Sequence, residues 1–249
     1  MDDLIIVSGH QPAYIPWLGY FHKILMADVF VYMDDVQFIE RGFIHRNKIK
    51  TGPNSELMLT VPLKSKTKKG KINEVEIHSC NWQQEHFESI QRNYKKSKYF
   101  NIYEEDLKDF YLSKEWNNLN FLLYKMLKYF VNKIGIETKI KISSEEKFLS
   151  NKSDLIFEHA QKYDANVVFV GALGRDYIDE KKFTENKILI NYQNYIYNNY
   201  SQRFTSFIPN LSILDLLFNV KPEELKKTIL AGNLSKEKLK NEFYEKYKS

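Results

Sequence analysis

Short apolar runs bounded by glycine or polar residues recur along the chain. Runs of four to eight apolar residues between turn signals are typical of buried strands, and apolar residues at every third or fourth position are typical of helices. Helical spacing occurs at Trp17, Phe21, Ile24 and Leu25. Strands are predicted at LIIV 4–7, VFVYM 29–33, TKIKI 138–142, VVFV 167–170 and ILIN 188–191, of which LIIV and VVFV are predicted to be buried. The opening is therefore a predicted β–α–β unit, the building block of a parallel sheet.

A long segment with helical spacing separates the second of these strands from the third. It covers residues 83–135, is interrupted near Ser97 and Ser113, and ends at Gly135 as a candidate C-cap. We predict that it forms a helical insertion or lobe. A hairpin is predicted just before it, between LMLTVPL 57–63 and INEVEIH 72–78.

The last third of the chain predicts further helices. They are SDLIFEHAQKY at 153–163, SILDLLFN with Ser212 as candidate N-cap, PEELKKTIL at 222–230 and a charged tail, 233–249, with a short surface helix. Neither repeats nor a flexible linker are present. We predict one α/β domain over residues 1–249, with a mostly parallel sheet of Rossmann-like type, a helical insertion and a helical C-terminus.

Composition narrows the class of protein. The chain has 37 Lys and Arg against 32 Asp and Glu, and one cysteine, Cys80, so no disulfide framework is expected. The start MDDLIIVSG lacks the basic region of a signal peptide, and no window approaches the roughly 18 apolar residues of a spanning helix. A cytoplasmic protein without a membrane span is expected. The basic run KSKTKKGK at 64–71 has no interleaved aromatic residues, which favours a solvated loop over a nucleic-acid surface.

Polar segments follow three of the predicted strands. They are SGHQPAYIPW at 8–17, DDVQF at 34–38 and GALGRDY at 171–177. Ligands of open parallel sheets bind at the carboxyl ends of strands, where such loops gather. We therefore expect these three segments to line one ligand-binding site at that end of the sheet.

Three residues are candidates for catalysis. His10 follows the first strand, where it could act as a general base or bind a phosphate oxygen, unless it merely caps the strand. Asp35 follows the second strand, where a carboxylate could bind sugar hydroxyls, a metal or an amine, or form a turn. His45 lies in the cationic segment RGFIHRNKIK at 41–50.

The substrate-binding candidates come from the same segments and from the aromatic loop YQNYIYNNYSQRF at 192–204. A helix starting near Trp17 would point backbone N–H groups toward an anion such as phosphate. The Arg46 guanidinium could bind pyrophosphate, or lie in a solvated loop. The candidates are Gln11, Tyr14, Gly19, Tyr20, His22, Gln37, Arg46, Asn47, Gly171, Gly174, Tyr177, Tyr200 and Gln202.

Several well-known motifs are missing from the sequence. It contains no GxGxxG, GxxxxGK[ST], GxSxG or HExxH. Because the histidines have no recognised ligand spacing, no metal site is predicted. A magnesium ion held by a carboxylate and substrate phosphates would leave little trace in a sequence, so the cofactor stays open.

The chain resembles the WbqC-like protein family over about residues 5–225. The resemblance rests on HQPAYIPWLGYFHKILMADVFVYMDDVQF, RNKIK, LTVPL, the Asn81, Trp82 and His86 element, GALGRDYID, YSQRF and FIPNLSILDLLFN. It implies a role in surface-polysaccharide or O-antigen biosynthesis, on an activated sugar. One departure from the usual pattern is His45, where an asparagine is common.

A second likeness concerns the first β–α–β unit. Its strand, proline-rich turn and helix resemble the histidine-glycine-histidine element of nucleotidylyltransferases, with Tyr20 in place of the second histidine. The likeness implies a nucleotidylyltransferase-like form of the Rossmann-like sheet.

Together these observations favour a transferase that acts on a nucleotide-linked amino sugar, by N-acyl or aminoacyl transfer. The donor would be a thioester or a carrier protein, and no nucleic acid would be involved. The alternatives are nucleotidylyl or adenylyl transfer from ATP or another triphosphate, and non-catalytic binding of a sugar or a partner.

Overall fold

A computed structural model describes residues 4–247 of the chain. Its opening unit consists of β1 (Ile6–His10), α1 (Leu18–Met26) and β2 (Val29–Tyr32). The two strands are parallel neighbours, in register from Val7 beside Val29 to His10 beside Tyr32. The predicted β–α–β unit is confirmed.

A small antiparallel sheet follows, formed by β3 (Arg46–Gly52) and β4 (Ser55–Thr60). The predicted hairpin between 57–63 and 72–78 is therefore wrong, because β4 pairs with β3, the strand that precedes it in the chain. Residues 72–78 begin with a 3₁₀ turn and meet the earlier segment at one antiparallel bridge, Leu63–Ile77, beside which the His78 N–H donates to the Pro62 carbonyl at 2.9 Å. The Pro53-Asn54 turn joins β3 to β4. The pairing of these two strands therefore closes a shorter loop than a pairing between 57–63 and 72–78 would.

The predicted helical insertion consists of three helices. They are α2 (Trp82–Tyr94), α3 (Phe100–Tyr111) and α4 (Leu119–Ile134). The breaks between them fall at 95–99 and 112–118, as the interruptions near Ser97 and Ser113 predict. The Asn118 side chain accepts a hydrogen bond from the Phe121 N–H at the start of α4, and Gly135 ends that helix at φ 74°.

The chain then returns to the main sheet. The elements are β5 (Lys139–Ile142), α5 (Ser143–Glu146), α6 (Lys152–Lys162), β6 (Val167–Val170), α7 (Glu180–Glu185) and β7 (Leu189–Tyr192). The sheet has the order β5-β2-β1-β6-β7, and its pairings are all parallel. The predicted α/β class is confirmed, whereas its Rossmann-like, nucleotidylyltransferase-like form stays a prediction.

The strand order places a switch point at the centre of the sheet. From β1 the chain builds outward to β2 and β5, and it then crosses back to β6 and β7 on the other side. The loops after β1 and β6 therefore lead in opposite directions, and we call the region between these two strand ends the crevice. Ligands of open parallel sheets bind in such a crevice.

Three α-helices follow β7 within the described residues. They are α8 (Ile213–Asn219), α9 (Leu225–Leu230) and α10 (Lys236–Tyr247). Ser212 precedes α8 as predicted, but its hydroxyl is buried and makes no capping bond. The tail that we expected on the surface packs instead, because Leu239 and Phe243 are buried on the sheet with Ile6 and Phe169.

Both faces of the sheet are covered. On one face, α6 and α7 pack on Val7, Val31 and Val168. On the other, α1, α10 and the helical lobe pack on residues such as Ile6 and Phe30. This double coverage explains why β1, β2 and β6 appear as continuous apolar runs. Within residues 4–247, no helix is both long and apolar enough to cross a membrane.

Candidate ligand site at the carboxyl ends of the central strands

A buried lysine lies at the switch point of the sheet. The Lys23 side chain, on α1, is 3% exposed, and its Nζ donates a hydrogen bond to the Gly9 carbonyl of β1 at 2.7 Å. A Cβ built on Gly171, the first residue after β6, would lie 3.9 Å from the same Nζ. The ammonium of Lys23 therefore lies between the carboxyl ends of the two central strands.

Lys23 has no acidic partner among the described residues. The contact with Gly9 is its one hydrogen bond there, and no carboxylate forms an ion pair with it. Burial lowers the pKa of Lys23 to about 7, since a charge removed from water is unstable unless it is paired. An anionic ligand in the crevice would supply the missing partner.

His10 ends β1 beside this lysine. Its ring packs edge-on against Trp17 and Tyr20, with centroid distances of 5.5 and 5.0 Å. Nδ1 lies 2.9 Å from the Gln11 carbonyl. A carbonyl can only accept, so Nδ1 carries the proton and Nε2 keeps its lone pair.

The environment keeps this imidazole neutral. Burial, followed by the positive charge of Lys23, lowers the pKa of His10 to about 3. A neutral ring with a free Nε2 can accept a proton or a hydrogen bond. Negative charge placed beside Lys23 would offset the cation and raise the pKa of His10, which would make the ring a stronger base.

The start of α1 borders other protein segments. Trp17 forms a bridge with Ser212, and the Ile213 N–H donates to the Pro16 carbonyl at 2.8 Å. Gly19 allows close packing, since a Cβ there would lie 3.0 Å from the Trp17 Nε1. The helix start, which we expected to bind phosphate, is therefore in contact with other parts of the protein. The cation nearest the crevice is Lys23, more than one helical turn after that start.

The loop between β1 and α1 is fastened by buried polar side chains. The Tyr14 hydroxyl lies 2.8 Å from the His86 Nδ1 and 2.5 Å from the Tyr111 hydroxyl. The Asn47 Nδ2 donates to the carbonyls of Ile15 and Tyr14, at 2.9 and 3.3 Å. Ile15 has a φ of 37°, which is costly for a β-branched residue. Tyr14 and Asn47, which we expected to bind substrate, therefore hold the loop instead.

Replacing Asn47 with alanine is expected to lower the free energy of unfolding by about 2 kcal/mol, since two buried carbonyls lose their donor. Urea denaturation measures this change. Asn101→Ala, at an exposed position of α3, is the matched control and should change stability little. Equal unfolding midpoints for the two variants would contradict the role of Asn47.

The two aspartates after β2 have different surroundings. Asp34 is buried, and its carboxylate accepts bonds from the Ser144 N–H, the Ser144 hydroxyl and the Asn120 Nδ2, at 2.8–3.1 Å. Asp35 is partly exposed and is close enough to His159 to favour the charged form of that ring. Asp34 therefore ties β2 to α4 and α5, whereas Asp35 lies on the α6 side of the sheet.

The cationic segment near β3 is occupied with its own loops. Arg46 donates from Nε to the Gly42 carbonyl and from Nη2 to the Arg41 carbonyl, at 3.2 and 2.9 Å. Gln37 likewise donates to the carbonyls at 69 and 70. Backbone carbonyls thus engage the side-chain donors of Gln37 and two of the five N–H donors of Arg46. Substrate binding by these two residues stays a prediction.

His45 also faces the protein interior. It is 5% exposed, its ring packs on Phe38, and its Nδ1 has no partner among the described residues. Burial lowers its pKa to about 4, with smaller contributions from Arg46 and Lys68. The position therefore does not support the catalytic role that we expected for His45.

Two further candidates on α1 are buried. The His22 Nδ1 accepts from the Gln193 side chain at 2.9 Å, and its Nε2 donates to the Leu234 carbonyl at 3.3 Å. Tyr20 packs edge-on against His10, and its hydroxyl is buried without a partner in the part of the chain that the structure describes. His22 thus anchors the C-terminal segment, and Tyr20 borders His10.

The glycine segment after β6 forms a 3₁₀ turn, Ala172–Asp176. Gly171 faces Lys23, whereas Gly174 packs against Val170, which a Cβ would approach to 3.1 Å. Tyr177 is 45% exposed. Of this segment, Gly171 therefore lies nearest the crevice.

Tyr200 and Gln202 belong to a second buried polar cluster. Asp215, on α8, accepts from the hydroxyls of Tyr94 and Tyr200 at 2.9 and 2.8 Å. The Gln202 Oε1 accepts from the Lys50 Nζ at 3.0 Å. Burial raises the pKa of Asp215 to about 6. The structure assigns these residues to the α8 cluster rather than to the His10 and Lys23 site.

The chain is similar in sequence to known proteins over most of its length. The sequence profile of the WbqC-like protein family matches residues 11–227. The chain belongs to the WbqC-like protein family. It is 33% identical over 215 residues to Uncharacterized protein Rv1507c of Mycobacterium tuberculosis, covering 86% of this chain and 93% of the relative. No solved structure matches the chain.

Metal ligation has little support within residues 4–247. No group of three or more His, Cys, Asp or Glu side chains there could hold a metal ion. The residues that stand together at the switch point are instead His10, Lys23 and Gly171, and sequence reasoning missed Lys23. Its signal was a lysine inside LGYFHKILM, a short apolar helix between two buried strands.

Proposed function

We propose that the protein is a cytoplasmic transferase that acts on a nucleotide-linked amino sugar in surface-polysaccharide biosynthesis. The observation that carries the proposal is the buried, unpaired ammonium of Lys23 beside a neutral His10 at the switch point. A diphosphate is the anion that a nucleotide-linked sugar would bring to Lys23. The resemblance to proteins of surface-polysaccharide gene clusters supports the choice of sugar.

The proposed reaction is N-acyl or aminoacyl transfer. The sugar amine attacks the carbonyl of an activated donor such as a thioester, the His10 Nε2 takes the amine proton, and the thiolate leaves as the C–N bond forms. Lys23 holds the diphosphate and thereby fixes the position of the amine. Charge neutralisation at Lys23 raises the pKa of His10 when substrate binds, which couples binding to base strength.

The test is to incubate the protein with nucleotide-linked amino sugars and acyl thioesters and to follow the products by mass spectrometry. A mass gain on the sugar supports the proposal. Magnesium-dependent release of pyrophosphate from a triphosphate would instead indicate nucleotidylyl or adenylyl transfer. Tight sugar binding without turnover, unchanged in His10→Ala, would indicate a binding protein.

His10→Ala is expected to lower the turnover rate by about 10²- to 10⁴-fold, the usual contribution of a general base. Affinity for the nucleotide-linked sugar should change far less, because Lys23 remains. Calorimetry and single-turnover kinetics separate these two effects. His78→Ala, at an exposed histidine, is the control and should keep the full rate. A His10→Ala enzyme as fast as this control would contradict the assignment of His10 as the base.

A further inference from the structure

A second concave site lies on the helical side of the molecule. Its volume is about 490 Å³, a size that suits a small organic ligand. The walls are the α2–α3 turn at 96–99, the segment at 200–203 and the residues from Asn219 to Thr228 that lead into α9. His10, Lys23 and Gly171 do not line it, so it is separate from the switch-point crevice.

The lining of this cavity is positively charged. Its cationic side chains are Lys96, Lys98, Arg203 and Lys221, against the single carboxylate of Glu224. Within residues 4–247, none of the four cations forms an ion pair, although lysines elsewhere commonly do. Concave clusters of one charge concentrate counter-ions of the opposite sign. The cavity therefore favours a ligand with several negative charges.

Polar and aromatic groups add further recognition. Arg203 is held in place by a bond from its Nη1 to the Asn93 carbonyl at 2.5 Å. Ser97 also lines the cavity, and its hydroxyl oxygen is buried with no hydrogen-bond partner among residues 4–247. Tyr99 and Tyr200 are also part of the lining and offer ring surfaces for a planar group.

We propose that this cavity binds the nucleoside diphosphate portion of a phosphorylated small molecule. Its phosphates would contact Lys98, Lys221 and Arg203. The aromatic side chains would face the base. A nucleoside diphosphate portion occurs both in free nucleotides and in coenzyme A, and this shared portion is what the cavity would recognise. The inference does not depend on the reaction proposed above.

The test uses the full-length Lys23→Met protein, in which the switch-point ammonium is absent. Isothermal titration calorimetry with ADP, with coenzyme A and with inorganic pyrophosphate measures binding to the remaining site. The variant Lys98→Glu/Lys221→Glu reverses two lining charges. The control Lys95→Glu/Lys227→Glu makes the same change at exposed lysines outside the lining.

ADP and coenzyme A are expected to bind the control at one site, with an affinity that falls as salt rises. The lining variant should bind both at least about tenfold more weakly, since each reversal places a carboxylate beside phosphate. Equal affinity for ADP and coenzyme A would favour a free nucleotide as the natural ligand of the cavity. Tighter binding of coenzyme A would favour a thioester donor as that ligand. Circular dichroism checks that both variants fold.

Two results would overturn the inference. One is equal affinity of the lining variant and the control for ADP and coenzyme A. The other is the absence of binding by the control for all of the ligands. Neither result bears on product formation by the wild-type protein, so failure of this inference and failure of the proposed function are distinguishable.

Discussion

Replacing Lys23 with methionine is expected to stabilise the fold and to abolish binding of a nucleotide-linked sugar at the switch point. Methionine keeps the apolar stem of the side chain and removes the buried charge. Only the hydrogen bond to the Gly9 carbonyl is lost. The gain in stability and the loss of binding have the same cause, because the unpaired ammonium is costly in the free protein and becomes paired when an anion binds.

The buried charge of Lys23 also makes the free energy of unfolding depend on pH. Lys23 has a pKa of about 7 in the folded protein, against an ordinary value of 10.5. Above pH 7 the unfolded chain binds a proton that the folded protein has lost, so stability rises with pH toward 10.5. Below pH 7 the charged Lys23 lowers the free energy of unfolding by its full amount. That amount is at most about 5 kcal/mol, at 1.36 kcal/mol for each pKa unit.

Urea denaturation between pH 6 and 10 measures this effect. The wild-type protein should gain stability relative to Lys23→Met as the pH rises. Lys128→Met, at an exposed position of α4, is the control and should follow the wild type. Parallel pH profiles for wild type and Lys23→Met would contradict the account of a buried, unpaired lysine.

The second large effect is expected at Asp215. Asp215→Ala removes the acceptor of the Tyr94 and Tyr200 hydroxyls and the carboxylate nearest the buried Lys50. Breaking such a buried network from one side leaves its other members without partners, so we expect a loss of about 3–5 kcal/mol. Asp176→Ala, at an exposed position after β6, should change stability little, and a similar loss in both variants would contradict the role of the cluster.

Asp215→Asn tests the charge separately from the hydrogen bonds. The folded pKa of Asp215 is about 6, above its ordinary value of 3.8. The folded protein therefore holds the proton more tightly, and its contribution to stability is present below pH 3.8 and lost as the pH rises through 6. The change amounts to about 3 kcal/mol. Asp215→Asn should lack this pH dependence, and an unchanged pH profile would contradict the raised pKa.

The strands of the main sheet and most of its helices could be predicted from apolar periodicity, but α5 and α7 were not predicted. VFVYM and VVFV are buried on both faces, which is why their strands are recognisable without context. β3 was missed because RNKIKTG is polar in sequence, yet Asn47 and Lys50 are buried in it. A strand with buried polar residues depends on partners distant in sequence, such as Tyr14 and Gln202, and a local pattern cannot reveal them.

The candidate site could be predicted only in part. Strand ends indicated where His10 and Gly171 would lie, because the carboxyl ends of parallel strands meet at one edge. Lys23 was missed because a lysine within a helix ordinarily faces solvent, whereas eight of the nine residues of α1 are buried. Tyr14 and Asn47 were assigned to substrate because a polar residue in a loop can bind a ligand or support the loop, and sequence alone does not separate these roles.

The central claim is that an anionic ligand pairs with Lys23 at the switch point. An NMR titration of the Lys23 Cε resonance, assigned by comparison with Lys23→Met, tests it most directly. We predict a midpoint near pH 7 in the free protein, and a midpoint several pH units higher when a nucleotide-linked amino sugar saturates the protein. A midpoint near 10 in the free protein, or one that the ligand leaves unchanged, would contradict the claim.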